Sequence, residues 1–130
     1  MSIEFLSLDD AIEIHRDQIE RYGGSLGIRD VGLLQSALAM PQAGFGGEYL
    51  HADIYEMAAA YLFHLVNNHA FIDGNKRVGA VAAYVFLSLN GVDLEADEQE
   101  FEDLVLAVAT GQIQKPAIAA FLRSNSRHAP

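Results

Sequence analysis

The sequence contains no cysteine. That excludes a disulfide framework and every site that needs a thiolate: a cysteine nucleophile, an iron–sulfur cluster or a Cys-ligated zinc. Positive charge is scarce. Eight Lys and Arg stand against 18 Asp and Glu, a formal net charge of −10. Such a surface repels a phosphate backbone, so direct nucleic-acid binding is not expected. Long apolar runs are also missing. The charge-free stretches Met57 to Ala70 and Val78 to Gly91 are too short to span a bilayer, and the first carries His64, Asn67, Asn68 and His69. The opening MSIEFLSLDD has neither the basic segment nor the apolar core of a signal peptide. A cytoplasmic protein with no membrane partner is expected. Three motifs are absent: G-x-x-x-x-G-K-[ST], which excludes a P-loop, the zinc-binding H-E-x-x-H, and the G-x-S-x-G of serine hydrolases.

What is present is a chain of 130 residues, 51% of them apolar, enough for one well-buried domain without metal or disulfide staples. There is no repeat, low-complexity tract or linker. The domain is expected over residues 1–123, with 124–130 as a frayed tail. The hydrophobic period is helical almost throughout. Ser7 and Asp10 form a capping box for a helix striped by Leu8, Ile12, His15, Ile19 and Tyr22 and ended by Gly23-Gly24. Asp30 caps a short helix that stops before Pro41. Gln42 to Leu50, with Gly44, Gly46 and Gly47 around Phe45, reads as a mobile loop or small hairpin. Two helices, about Asp53–Asn68 and Asn75–Asn90, are apolar on nearly every side and belong in the middle of the fold. A fifth follows Asp97, and a sixth starts at Pro116. The prediction is an all-α, compact bundle of about six helices around two buried central ones.

The short connection between those central helices carries the chemistry. It reads His69-Ala70-Phe71-Ile72-Asp73-Gly74-Asn75-Lys76-Arg77. Gly74-Asn75 opens a helix whose free N–H groups suit a phosphate. Lys76 and Arg77, the one adjacent basic pair in the chain, fall in that first turn. There they oppose the helix dipole at a cost of about 0.3–1 kcal/mol each, which a bound polyanion would reverse. Asp73 could hold a hydrated Mg²⁺. His69 has the ordinary pKa for proton transfer near neutrality. Phe71 reads as a core plug that anchors the loop. Each feature also has a plainer reading: His69 as a cation at a helix C-terminus, Asp73-Gly74-Asn75 as a capped turn, Lys76 and Arg77 as a solvated face. Their convergence within nine residues favours a site. Elsewhere, His64 reads as a core or pocket histidine, His15 as structural, His51 as a cap for the third helix, and Asp93–Asp103 as a solvated acidic run.

His69 to Arg77 resembles the H-x-F-x-[DN]-[AG]-N-K-R signature of the Doc (death on curing) toxins, a branch of the Fic fold. Arg21-Tyr22-Gly23-Gly24, Asn90-Gly91-Val92, Ala109-Thr110-Gly111 and Leu122-Arg123 have Doc-like counterparts in the same order. The wider Fic pattern, H-P-F-x-[DE]-G-N-G-R-x-x-R, belongs to proteins that transfer AMP from ATP to a protein hydroxyl. This sequence departs from it at Lys76 and Ala80, as Doc proteins do. The resemblance implies transfer of the γ-phosphate of ATP to a threonine of elongation factor Tu. It makes His69 the base, Asp73 the Mg²⁺ ligand, Gly74, Asn75, Lys76 and Arg77 the phosphate site, and Gly44, Phe45, Gly46 and Gly47 a flap that docks the target. AMP transfer on the same fold, or a catalytically silent partner-binding module, are the alternatives. Self-inhibited Fic proteins carry [ST]-x-x-x-E-[GN]; no glutamate here is followed by Gly or Asn. The resemblance implies control by a Phd-like antitoxin, whose C-terminal segment would fold into a groove.

Overall fold

A computed structural model describes residues 2–130. Six helices form: α1 (Leu8–Tyr22), α2 (Val31–Ala39), α3 (Ile54–Asn67), α4 (Asn75–Leu89), α5 (Glu98–Ala109) and α6 (Lys115–Ser124). Their ends follow local chemistry. Ser7 and Asp10 make the reciprocal capping box of α1, and Gly23 at φ 83° closes it. Asp30, Asp53 and Asp97 each accept a first-turn N–H, from Leu33, Glu56 and Glu100 respectively. Asp53, not His51, therefore caps α3. The His51 ring instead donates to the Met40 carbonyl at 3.2 Å. Pro41 does not break the chain direction after α2: it fits the first turn of a short 3-10 helix, Met40–Gln42, where its missing N–H is not needed.

The core is built on α3 and α4, as the apolar patterning predicts. Met57 through Leu62 are all buried, so α3 has no solvent face along that stretch. The two helices approach closely at Gly79, where a Cβ would lie 2.7 Å from Val66 Cγ2 and 3.2 Å from the Leu62 carbonyl oxygen. The remaining helices cover this pair. The segment before α1 is also tied in: the buried Tyr61 hydroxyl accepts the Leu6 N–H at 2.9 Å. Burial pushes that phenol up to about 12.

Two small antiparallel pairs complete the fold. β1 (Gly44–Phe45) and β2 (Glu48–Tyr49) form a hairpin turned by Gly46-Gly47, the smaller of the two structures expected there. β3 (Val92–Leu94) pairs with β4 (Ser126–His128), in register Val92 with His128 and Leu94 with Ser126. The tail expected to fray is thus held as a strand, and the Ala129 N–H adds a bond to the Gly91 carbonyl at 2.8 Å. Tyr22, placed on the core stripe of α1 by spacing, is instead 69% exposed and lines a cleft with residues of α4 and α5. Among the described residues no helix is long and apolar enough to cross a membrane.

Candidate active site

α3 ends at Asn67, and the chain reverses to enter α4 after seven residues, Asn68–Gly74. Four devices fix this turn. Phe71 is 2% exposed, and its ring stacks on His15 with centroids 4.0 Å apart and planes 7° from parallel. The plug predicted from sequence is in place, and it rests on a residue of α1. His15 in turn donates from Nε2 to the Asp73 carbonyl at 2.8 Å, since a carbonyl can only accept. Asn75 accepts the Phe71 N–H and donates to the Phe71 carbonyl, both at 3.0 Å. Gly74 takes φ 80°, a left-handed turn that suits glycine.

The last device is remote in sequence. Residues 24–30 run beside the loop as a strap. The Ile72 N–H donates to the Gly27 carbonyl at 3.1 Å, and the Arg29 and Asp30 N–H groups both donate to the Ala70 carbonyl. Ile28 and Phe71 form an antiparallel bridge. The Ser25 N–H donates to Asp73 Oδ2 at 3.2 Å. Gly24, at φ 117°, lets this approach happen: a Cβ there would lie 2.5 Å from Asp73 Oδ2 and 3.2 Å from Arg77. The second glycine of Arg21-Tyr22-Gly23-Gly24 thus makes room for the Asp73 carboxylate and the Arg77 guanidinium.

The predicted side chains divide into those left free and those already engaged. His69 is exposed. It is the one non-glycine residue with positive φ among the described residues, at 51°, a conformation costing about 1–3 kcal/mol that the surroundings must hold. Lys76 is exposed. Asp73 is exposed, and its carboxyl sits below the usual carboxylate range because the Ser25 and Gly74 N–H groups and then Arg77 and His15 favour the charged form. Asn75 is different from expectation. Its amide is committed to the Phe71 backbone, so only its own N–H faces the start of α4.

Arg77 also differs. Its guanidinium lies beside Gly74 at the head of α4, where a Cβ would come within 3.4 Å of it, and it donates to the Gln18 carbonyl at 3.2 Å and the Gly23 carbonyl at 3.0 Å. Those carbonyls belong to the last turn of α1, where a cation is favoured. The charge at position 77 is therefore satisfied within the protein, and of the pair only the exposed Lys76 ammonium lacks a protein partner among the described residues.

The start of α4 suits an anion. α1, α2, α3 and α5 spend a Ser or Asp side chain on their first-turn N–H groups. α4 has no side-chain cap, which leaves those donors open beside Lys76. α6 lacks one too, but Pro116 removes a donor there. The donor set for a metal is thin: among the described residues no group of three or more His, Asp or Glu gathers. Asp73 alone fits a hydrated Mg²⁺. Each of its oxygens takes one N–H, from Gly74 and Ser25, and keeps a second lone pair.

The hairpin Gly44–Tyr49 is exposed at every residue, with Phe45 94% exposed. A cleft of about 570 Å³ adjoins Arg77 between α1, α4 and α5, lined by Tyr22, Val81, Phe101 and Glu98 among others. A second cavity, about 440 Å³ between α3 and α6, holds His51, Glu56, Lys115 and Arg123 and no residue of the loop. At 3.1 Å from Lys115, His64 is lowered to about 4 by burial and then by that ammonium, so it stays neutral, a half-buried histidine in keeping with the core-or-pocket reading. Spacing did not reveal Arg29, Gly24 or Ser25 as parts of the site; the positive-φ glycines 23, 24 and 27 were the one local sign that residues 23–30 follow an unusual path.

Residues 5–87 match the Fic/DOC family. The chain is 46% identical over 103 residues to a protein named Toxin Doc from Mycolicibacterium smegmatis, covering 78% of this chain and 79% of that one. It is 36% identical over 118 residues to the Protein kinase doc of Escherichia phage P1, covering 91% and 92%. The matched span includes α1, the strap, the central helix pair and the whole His69–Arg77 loop between them: the chain belongs to the Fic/Doc family.

Proposed function

We propose that this chain is the toxin of a toxin–antitoxin pair and that it transfers the γ-phosphate of ATP to a threonine of elongation factor Tu, blocking translation in the cytoplasm. The single observation that carries the reading is the convergence at the head of α4: an uncapped helix start, the exposed Lys76, the exposed Asp73 and the exposed His69 on one braced loop. A relative named a protein kinase supports the choice of phosphate.

In this reading the acceptor hydroxyl loses its proton to His69 as its oxygen bonds to the γ-phosphorus. The bond from that phosphorus to the β–γ bridging oxygen breaks, and ADP leaves. The N–H groups of Asn75 and Lys76 and the Lys76 ammonium face the negative charge on the phosphates. Arg77, docked on α1, steadies the helix start and adds its field. Asp73 would hold Mg²⁺, which when bound neutralises charge between neighbouring phosphates. Phe45 and the hairpin glycines present an exposed edge to the target. The cleft beside Arg77 suits the helix of a Phd-like antitoxin: Ala80, Val81 and Phe101 offer apolar contact between Arg77, Glu98 and Glu102, and an occupant there would lie against Arg77.

Labelled ATP tests this directly. With purified elongation factor Tu, γ-label should appear on the target and α-label should not; the opposite result assigns AMP transfer. His69→Ala should lower the rate by about 10²–10⁴-fold with the fold intact. Undiminished growth arrest by that variant would instead identify a binding module.

A further inference from the structure

We propose that Arg29 is a positioning residue for His69, holding it in its strained working conformation through the backbone instead of through the imidazole. The proposal rests on the reading of His69 as the base. Arg29 lies 40 residues from His69 in sequence, yet its Nε–H donates to the His69 carbonyl at 2.7 Å. A second guanidinium nitrogen reaches toward the Asn68 carbonyl at 3.4 Å. The Arg29 N–H fixes the next carbonyl, that of Ala70, at 2.8 Å. One residue thus addresses three consecutive carbonyls of the loop, and the middle one belongs to the single non-glycine residue with positive φ among the described residues.

The chemistry fits the position. Asn68 and His69 follow the last turn of α3, where unpaired carbonyls and the negative end of the helix dipole gather. A planar guanidinium suits this place because it can donate in one plane to adjacent oxygens. Arg29 makes no ion pair with a carboxylate among the described residues, although the chain carries 18 of them. Its charge is spent on the loop. Lysine, with a single nitrogen, could reach one of the carbonyls. Alanine would keep only the backbone N–H bond to the Ala70 carbonyl, and the His69 backbone would be free to relax toward negative φ, swinging the imidazole away from the acceptor.

The test uses the full chain, with Arg29→Ala and Arg29→Lys compared to the wild type. The three-bond amide–α-proton coupling of His69 reports its φ independently of activity and should shift in Arg29→Ala. In the labelled-ATP assay kcat should fall by about 10–100-fold, with KM for ATP unchanged within twofold, and Arg29→Lys should recover part of the loss. Wild-type coupling and wild-type kcat in Arg29→Ala overturn the proposal. A loss carried by KM for ATP overturns it as well, since that assigns Arg29 to nucleotide binding. If the wild type transfers neither label, the base assignment fails, and the coupling of His69 alone decides whether Arg29 sets its backbone. If Arg29→Ala does not fold, the same coupling and kcat readings on Arg29→Lys decide, with unchanged values again overturning the idea.

Discussion

The loop between α3 and α4 and the hairpin formed by β1 and β2 are both short connections that contain glycine, yet they are held in different ways. The loop buries Phe71 against His15, and Asn75, Arg29, Ser25 and Gly27 engage its backbone and side chains from outside. The hairpin has two-residue strands, every one of its residues is exposed, and its contacts outside itself include Tyr49 edge-on to Phe5 at 5.5 Å. What separates them is whether distant parts of the chain satisfy the backbone. In the proposed function, a loop that is to place a proton acceptor and a phosphate gains from the first kind of support, and an edge that is to fit a protein surface gains from the second.

Three substitutions probe that contrast. The largest effect is expected from Phe71→Ala, which removes a buried aromatic from the loop. It should cost about 3–5 kcal/mol, read as a drop in thermal midpoint, with transfer activity lost at temperatures where the chain remains folded. A cost under about 1 kcal/mol would mean that the strap and Asn75 hold the loop without the plug.

Asp73→Asn should have a smaller effect, and one that depends on pH. The bonds from Ser25 and Gly74, with Arg77 and His15, lower the Asp73 carboxyl from its ordinary 3.8. A carboxyl lowered by folding adds stability that is complete above the ordinary value and lost as pH falls through the lower, folded one. The gap between wild type and variant in urea midpoint should therefore be constant from pH 7 to about 4 and close below that. A gap that widens on acidification would show that the carboxylate strains the site. The smallest effect on stability is expected from Phe45→Ala, within about 0.5 kcal/mol, because the side chain is 94% exposed. Its KM for the target protein should rise while KM for ATP stays fixed; equal changes in both would place the hairpin in nucleotide binding.

Much of this was readable along the chain. The capping residues Ser7, Asp30 and Asp97 mark three helix starts because a short side-chain oxygen and its N–H partner lie within three residues of each other; at α3 the reading chose His51 where Asp53 serves. The greasy patterns of α3 and α4 announced the core. The residue types needed for a phosphate site stood together in one nine-residue stretch. Two readings missed a distant partner. Arg77 was read as a cation awaiting a polyanion and residues 124–130 as a frayed end, and in each case the deciding neighbour lay far off in sequence: the Gln18 and Gly23 carbonyls 59 and 54 residues away, and β3.

The sequence by itself determined where helices begin and end, which two are buried and which residue types meet at the loop, because those follow from hydrogen bonds and periodicities that act over a few residues. Only the tertiary structure decided that Arg77 serves the end of α1, that Asn75 serves the Phe71 backbone and that Arg29 reaches the His69 carbonyl. A guanidinium or an amide can satisfy any unpaired carbonyl within reach, and which one it finds depends on how the helices pack.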